Sequence, residues 1–131
     1  SDLSISHSYP YAVGLINNNK CGIDIEKIRK KILKVNTKFL KKSEINRVGK
    51  SLIKNTIYWS SKEALFKADP DNQYTVLGHY EIEDPSLLQG KAKNNRGRSF
   101  YYSCEKLPMD KIFEIRSGGW ISCAVSFSSS T

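Results

Sequence analysis

The 131-residue chain carries 39% hydrophobic and 26% charged side chains. Those are ordinary globular proportions, and no apolar run approaches the ~18 residues a membrane helix needs, which excludes disordered and membrane-spanning classes. The formal net charge of +8 implies an anionic partner, whether nucleic acid, a membrane surface, a phosphorylated cofactor or an acidic protein.

Residues 3–8 alternate apolar and polar, which predicts a strand with Ser4, Ser6 and Ser8 on one face and Leu3, Ile5 and His7 on the other. Tyr9-Pro10 ends it. A denser apolar run over 11–16, interrupted by Gly14, leads through the turn cluster Asn17-Asn18-Asn19-Lys20 to a strand over 21–26. The three strands are expected to form a meander. In the last of them a period of two places Asp24 and Glu26 on one side.

From Lys27 the apolar spacing turns helical: Ile28, Ile32, Val35 and Phe39 make one stripe, with lysines and Arg29 over the remaining surface. A basic amphipathic helix or helical loop is expected there. Ser43 is the expected cap of a second helix whose apolar face is Ile45, Val48, Leu52 and Ile53, with Glu44 favourable against its N-terminal dipole. Asn55 is the expected cap of a third. In that helix Ile57, Ser61, Ala64, Leu65 and Ala68 form a small-residue stripe suited to packing on a sheet, while Trp59, Glu63 and Lys67 lie together off the stripe. Pro70 stops it.

Beyond residue 72 the texture is that of strands, expected over 74–82, 87–88, 99–104, 112–115 and 120–127. A basic hairpin tip is expected over 91–98, a turn over 117–119 and a frayed tail from 128. Cys21, Cys104 and Cys123 are an odd number at wide spacing, which fits neither a disulfide framework nor a zinc pattern, so they read as small buried hydrophobes in a reducing cytoplasm. No secretory leader is expected from the first residues. One domain over residues 1–131 suits the length.

Asp24, Glu26, Glu63 and Lys67 amount to three carboxylates and an ammonium that could converge. Such a set suits a hard divalent cation, which prefers oxygen ligands, together with a phosphate-bearing ligand. Taken singly, each has a plainer meaning: an edge-strand acid pair, or a surface pair four residues apart on a helix.

Ile5-Ser6-His7-Ser8, then Gly22-Ile23-Asp24-Ile25-Glu26, then Trp59-Ser60-Ser61-Lys62-Glu63-Ala64-Leu65-Phe66-Lys67 resemble in order and spacing the three signature blocks of the 4′-phosphopantetheinyl transferase superfamily. The leading His-Ser block is similar to that of the larger, surfactin-synthetase-activating type. The resemblance implies an α+β fold in which an antiparallel sheet packs on a few helices, equivalent to the second, metal-binding half of a pseudo-dimeric enzyme. Either self-association supplies the other half, or an upstream portion is absent from this chain.

It also implies transfer of the 4′-phosphopantetheine arm of coenzyme A to a serine of an acyl or peptidyl carrier protein. Mg²⁺ would be held by Asp24, Glu26 and Glu63, with Glu63 as base, Lys67 on the cofactor phosphates, and Ser6 and His7 gripping a coenzyme A phosphate. Trp59 is expected to pack and orient its helix. Glu44 matches a carboxylate at the family's helix start and either assists as base or simply favours the helix dipole. The basic stretch over 30–42 would suit an acidic carrier, although a nucleic-acid surface would look similar. Two further readings stand beside this one: a nucleic-acid-binding module using the charge and exposed aromatics such as Tyr101 or Tyr102, and a relative that binds a carrier without modifying it.

Overall fold

The computed structural model describes residues 2–83, 88–108 and 118–127. Its fold is α+β. Strands β1 (Asp2–Ser8) and β2 (Tyr11–Asn17) form an antiparallel hairpin with Leu3 opposite Ile16 and Ser8 opposite Tyr11. Strand β3 (Gly22–Lys27) does not continue it as a meander. It joins a five-stranded antiparallel sheet in the order β3-β7-β6-β5-β4, built with β4 (Glu81–Ile82), β5 (Gln89–Lys93), β6 (Ser99–Leu107) and β7 (Trp120–Phe127).

The hairpin instead meets β3 through side chains. Ser4 Oγ accepts the Ile23 N–H at 2.9 Å, Ser6 Oγ accepts the Ile25 N–H at 3.2 Å, and the Trp120 indole donates to Ser8 Oγ at 3.1 Å. The serine face read from the sequence is thus what satisfies the backbone donors along the β3 edge, which would otherwise be left without a partner strand.

Among the described residues three α-helices cover the other side: α1 (Ile32–Val35), α2 (Lys42–Val48) and α3 (Leu52–Ala68). The expected long basic helix is reduced to α1 and a following 3₁₀ turn, because the Ile28 N–H donates to Gly119 O at 3.0 Å and keeps the chain extended past β3. The cap of α2 is Lys41 rather than Ser43, with the Glu44 carboxylate accepting the Lys41 N–H at 2.9 Å. Ser51 rather than Asn55 caps α3, accepting the Lys54 N–H at 3.1 Å, and Asn55 is buried inside the helix. Gly49 separates α2 from α3, so Leu52 and Ile53 belong to α3. The helix ends before Pro70, as its sequence requires.

The small-residue stripe of α3 is fully buried on the sheet. At Gly22 the helix comes so close that a Cβ would collide with the Ala64 carbonyl and lie 3.0 Å from Ala68 N. This close approach carries β3 and its acids up to α3.

Instead of a strand over 74–82, two 3₁₀ turns, Asn72–Tyr74 and Leu77–His79, lead into the short β4. Buried Tyr80 draws the segment inward by donating its hydroxyl to Asp69 at 2.7 Å. In the basic hairpin, residues 91–93 belong to β5 and the turn itself begins at Asn94. Expectations for Leu87, Ser117, and residues 112–115 and 128–131 lie outside the described residues.

Cys104 and Cys123, directly opposite each other on β6 and β7, are joined by a disulfide. This corrects their reading as separate thiols and removes the basis for inferring a reducing compartment from the cysteines. Cys21 is free and buried, as expected. No helix among the described residues is long and apolar enough to cross a membrane.

Candidate active site

Asp24 lies opposite Cys123 and Glu26 opposite Ile121, so both acids project from the side of β3 that faces α3. Asp24 is buried. Its Oδ1 receives the Ser6 hydroxyl at 3.4 Å and stands 3.9 Å from Lys67 Nζ, while Oδ2 is buried with no hydrogen-bond partner. Its backbone carbonyl accepts from Ser60 Oγ on α3 at 3.4 Å.

Burial pushes the Asp24 carboxyl above the ordinary aspartate range, opposed by a hydrogen bond with Glu26, by Ser60, by the Lys67 charge and by Ser6. Glu26 is raised to about 8, first by burial, then by the hydrogen bond and charge of Asp24, and further by the Glu63 charge; a hydrogen bond from Trp59 pulls it the other way. Burial also raises Glu63, followed by the charge of Asp24, with Lys67 opposing. The Glu63 charge thus raises Glu26, and the Asp24 charge raises both Glu26 and Glu63.

Each of the three is destabilised as an anion, and one buried oxygen has nothing to bind. A divalent cation answers both conditions, because it supplies the positive charge and the missing partner. Among the described residues, however, no three His, Cys, Asp or Glu side chains are gathered tightly enough to hold a metal ion as they stand.

Lys67 lies close by but is partly engaged. Its ammonium donates to Ile23 O at 2.8 Å and to Ile5 O at 3.3 Å, tying the hairpin to β3. An ammonium carries three protons, so one donor remains for an anion. The inward face of β1 brings Ser6 to the acids, whereas His7 occupies the opposite, exposed face with Leu3 and Ile5. Of the expected phosphate pair, only Ser6 is brought to the cluster.

Beside Glu26 opens a cleft of about 560 Å³ lined by Trp59, Ile32 and Val35 together with Lys27, Arg29, Lys31 and Lys34. Trp59 packs edge-on against Phe39 with ring centres 4.9 Å apart. A cationic rim with an apolar wall suits a phosphate-bearing ligand carrying an organic arm. Lys31 and Lys34 of the basic stretch, together with Lys27 and Arg29, thus lie beside Glu26.

Glu44 and Lys62 turn out to be structural. Neither side chain is exposed, and their ion pair spans 2.5 Å. Lys62 Nζ also donates to Phe39 O at 2.7 Å, and Glu44 accepts the N–H groups of Lys41 and Ile82. Burial lowers the Lys62 ammonium from the ordinary lysine range, and Glu44 opposes the shift. With its oxygens thus occupied, Glu44 ties α2, α3 and β4 together and is not placed to act as a base. The sequence did hold a signal for this, since Lys62 falls beside Ser61 and one turn from both Tyr58 and Leu65, on the buried side of α3.

Comparison with known families matches residues 20–115 to the 4′-phosphopantetheinyl transferase superfamily. No curated protein matches the chain. The match covers well over half of the sequence, and the chain belongs to that superfamily, a group of transferases that use coenzyme A as the phosphopantetheine donor.

Proposed function

We propose that this member of the 4′-phosphopantetheinyl transferase superfamily is a holo-carrier-protein synthase that moves the phosphopantetheine arm of coenzyme A onto a serine of an acyl or peptidyl carrier protein. The observation that carries the reading is the acid cluster itself. Asp24 Oδ2 is buried without a partner, the carboxyls of Glu26 and Glu63 are raised beside it, and the cation-rimmed cleft opens next to them. Residues 1–131 are read as one domain, the counterpart of the metal-binding half of the larger, surfactin-synthetase-activating type.

In the proposed reaction the carrier serine hydroxyl attacks the phosphorus that bears the pantetheine arm. A new oxygen–phosphorus bond forms there. The bond to the bridging oxygen breaks, and adenosine 3′,5′-bisphosphate leaves with that electron pair. Glu63, whose burial raises its basicity, takes the serine proton directly or through water. Lys67, a third exposed, offers its remaining donor to the pyrophosphate. Asp24, Glu26 and Glu63 are the residues that would hold Mg²⁺, which would supply charge neutralisation for the phosphate oxygens. His7, on the outer face of the hairpin, meets a cofactor phosphate only where the ligand reaches round β1.

Acyl and peptidyl carriers are acidic, and Lys27, Arg29, Lys31 and Lys34 beside the cleft complement them in charge. The test is incubation of the protein with coenzyme A, Mg²⁺ and an apo carrier, followed by the mass of the carrier. One phosphopantetheine is gained with the wild type, and the gain is lost with Glu63→Gln or Asp24→Asn while the fold is retained. Undiminished turnover in both variants overturns the assignment.

A further inference from the structure

Two donors that line the cleft take no part in the acid cluster: the Ser8 hydroxyl and the Lys27 ammonium. Ser8 closes β1 on its inward face, and its Oγ accepts the Trp120 indole N–H at 3.1 Å. An indole N–H only donates, so the serine keeps its own proton. Among the described residues no acceptor takes that proton. Lys27 lies directly opposite Trp120 across the β3–β7 pair, and its ammonium stands 5.4 Å from the centre of the indole ring, within cation–π range. Glu26 precedes Lys27 in the strand and therefore faces the other side of β3. Among the described residues no carboxylate lies within ion-pair distance of the Lys27 ammonium.

Trp120 itself is 2% exposed. Tyr11, opposite Ser8 in the hairpin, packs edge-on against it with ring centres 5.0 Å apart. One buried side chain thus sets both donors, because its N–H fixes the serine oxygen and its ring face steadies the ammonium. A hydroxyl proton and an ammonium on one wall, with Arg29, Lys31 and Lys34 along the same cleft, are donors that call for an oxyanion. Along β1 this wall is two residues, or ~7 Å at the rise of a strand, from the Ser6 contact with Asp24.

We propose that Ser8 and Lys27, organised by Trp120, form a second phosphate subsite, which holds one phosphate group of coenzyme A apart from the acid cluster and needs no metal ion. The assignment rests on the reading of the cleft as a coenzyme A site. Coenzyme A offers two sources of that chemistry, the monoester on its ribose and the diphosphate, and dephospho-coenzyme A retains only the second.

The experiment is calorimetric titration of the protein with coenzyme A and with dephospho-coenzyme A, in EDTA and again with Mg²⁺. Ser8→Ala and Lys27→Gln are each expected to bind coenzyme A about tenfold or more weakly in both conditions, the usual loss for a hydrogen bond to a charged group. Ser8→Thr and Lys27→Arg keep the donors and should bind close to wild type. A loss confined to coenzyme A identifies the ribose monoester as the group held, and an equal loss with the dephospho form identifies the diphosphate. Lys27 makes no bond that docks the hairpin, so its variant separates ligand contact from a loosened hairpin tip. Weakened binding in Ser8→Ala with wild-type affinity in Lys27→Gln would reduce Ser8 to hairpin docking and overturn the subsite. Wild-type affinity in both variants would also overturn it, while leaving the coenzyme A reading in place. If the wild type binds neither ligand, with or without Mg²⁺, the coenzyme A reading fails first and the subsite fails with it.

Discussion

Gly22 on β3 lies directly against the Ala64 carbonyl of α3, leaving no room for a side chain between strand and helix. That contact sets how near Asp24 stands to Glu63. The obstacle to a methyl group is backbone, which cannot swing aside as a flexible side chain can. Gly22→Ala should therefore destabilise by about 1–3 kcal/mol or more, the usual range for overpacking. Urea denaturation should show a lower midpoint, and Mg²⁺ binding should weaken as the acids separate. Wild-type stability in Gly22→Ala would contradict the packing described.

The acid cluster also makes stability depend on pH with a definite sign. Glu26 titrates near 8 in the fold, against an ordinary value of 4.5, so folding favours its protonated form. Its stabilising contribution is complete below about pH 4.5 and is lost as pH rises through 8. In EDTA, the melting temperature of the wild type should fall relative to that of Glu26→Gln between pH 5 and pH 9. Saturating Mg²⁺ should reduce or reverse the fall. Parallel pH profiles in EDTA for the two proteins would show that Glu26 is not raised.

The Lys62–Glu44 pair should behave as a buried ion pair. Lys62→Met leaves a buried carboxylate without its cation, and a loss of about 3–5 kcal/mol is expected. Adding Glu44→Gln removes the stranded charge, so the double variant should be less unstable than the sum of the singles. A double-mutant cycle by chemical denaturation measures the coupling. Strict additivity would mean that the pair does not interact as the 2.5 Å separation indicates.

The Cys104–Cys123 bridge closes a loop across a sequence separation of 19 residues. Chain-entropy arguments give a bridge of that span about 3 kcal/mol of stabilisation. Reduction, or the double replacement Cys104→Ala/Cys123→Ala, should lower the denaturation midpoint accordingly. Mass spectrometry under non-reducing conditions checks that the bond is present.

Local signals carried much of this architecture. Alternation along residues 3–8 placed three serines on one face, and the stripe from Ile57 to Ala68 gave the packing face of α3. Both follow from side-chain geometry within one element. Across 74–82 the spacing of Tyr74, Val76, Tyr80 and Ile82 imitates a strand. Yet Tyr74 and Val76 are exposed, and only Tyr80 and Ile82 are drawn in, by Asp69 and the β5 pairing. Pairing of β3 with β7 and of Cys104 with Cys123 depends on register between strands far apart in sequence, which no local pattern encodes. Asp24, Glu26, Glu63 and Lys67 stand out as candidates because their order matches family blocks, whereas the opposite facing of Ser6 and His7 is implicit in the strand period.

The most direct test of the shared cation is calorimetric titration of the metal-free protein with Mg²⁺ at pH 7, repeated in buffers of different ionisation enthalpy. Because Glu26 is largely protonated at that pH, binding should occur at one site and release protons to the buffer, and Asp24→Asn should abolish it. Binding without proton release, or binding that persists in Asp24→Asn, would contradict a cation held between β3 and α3.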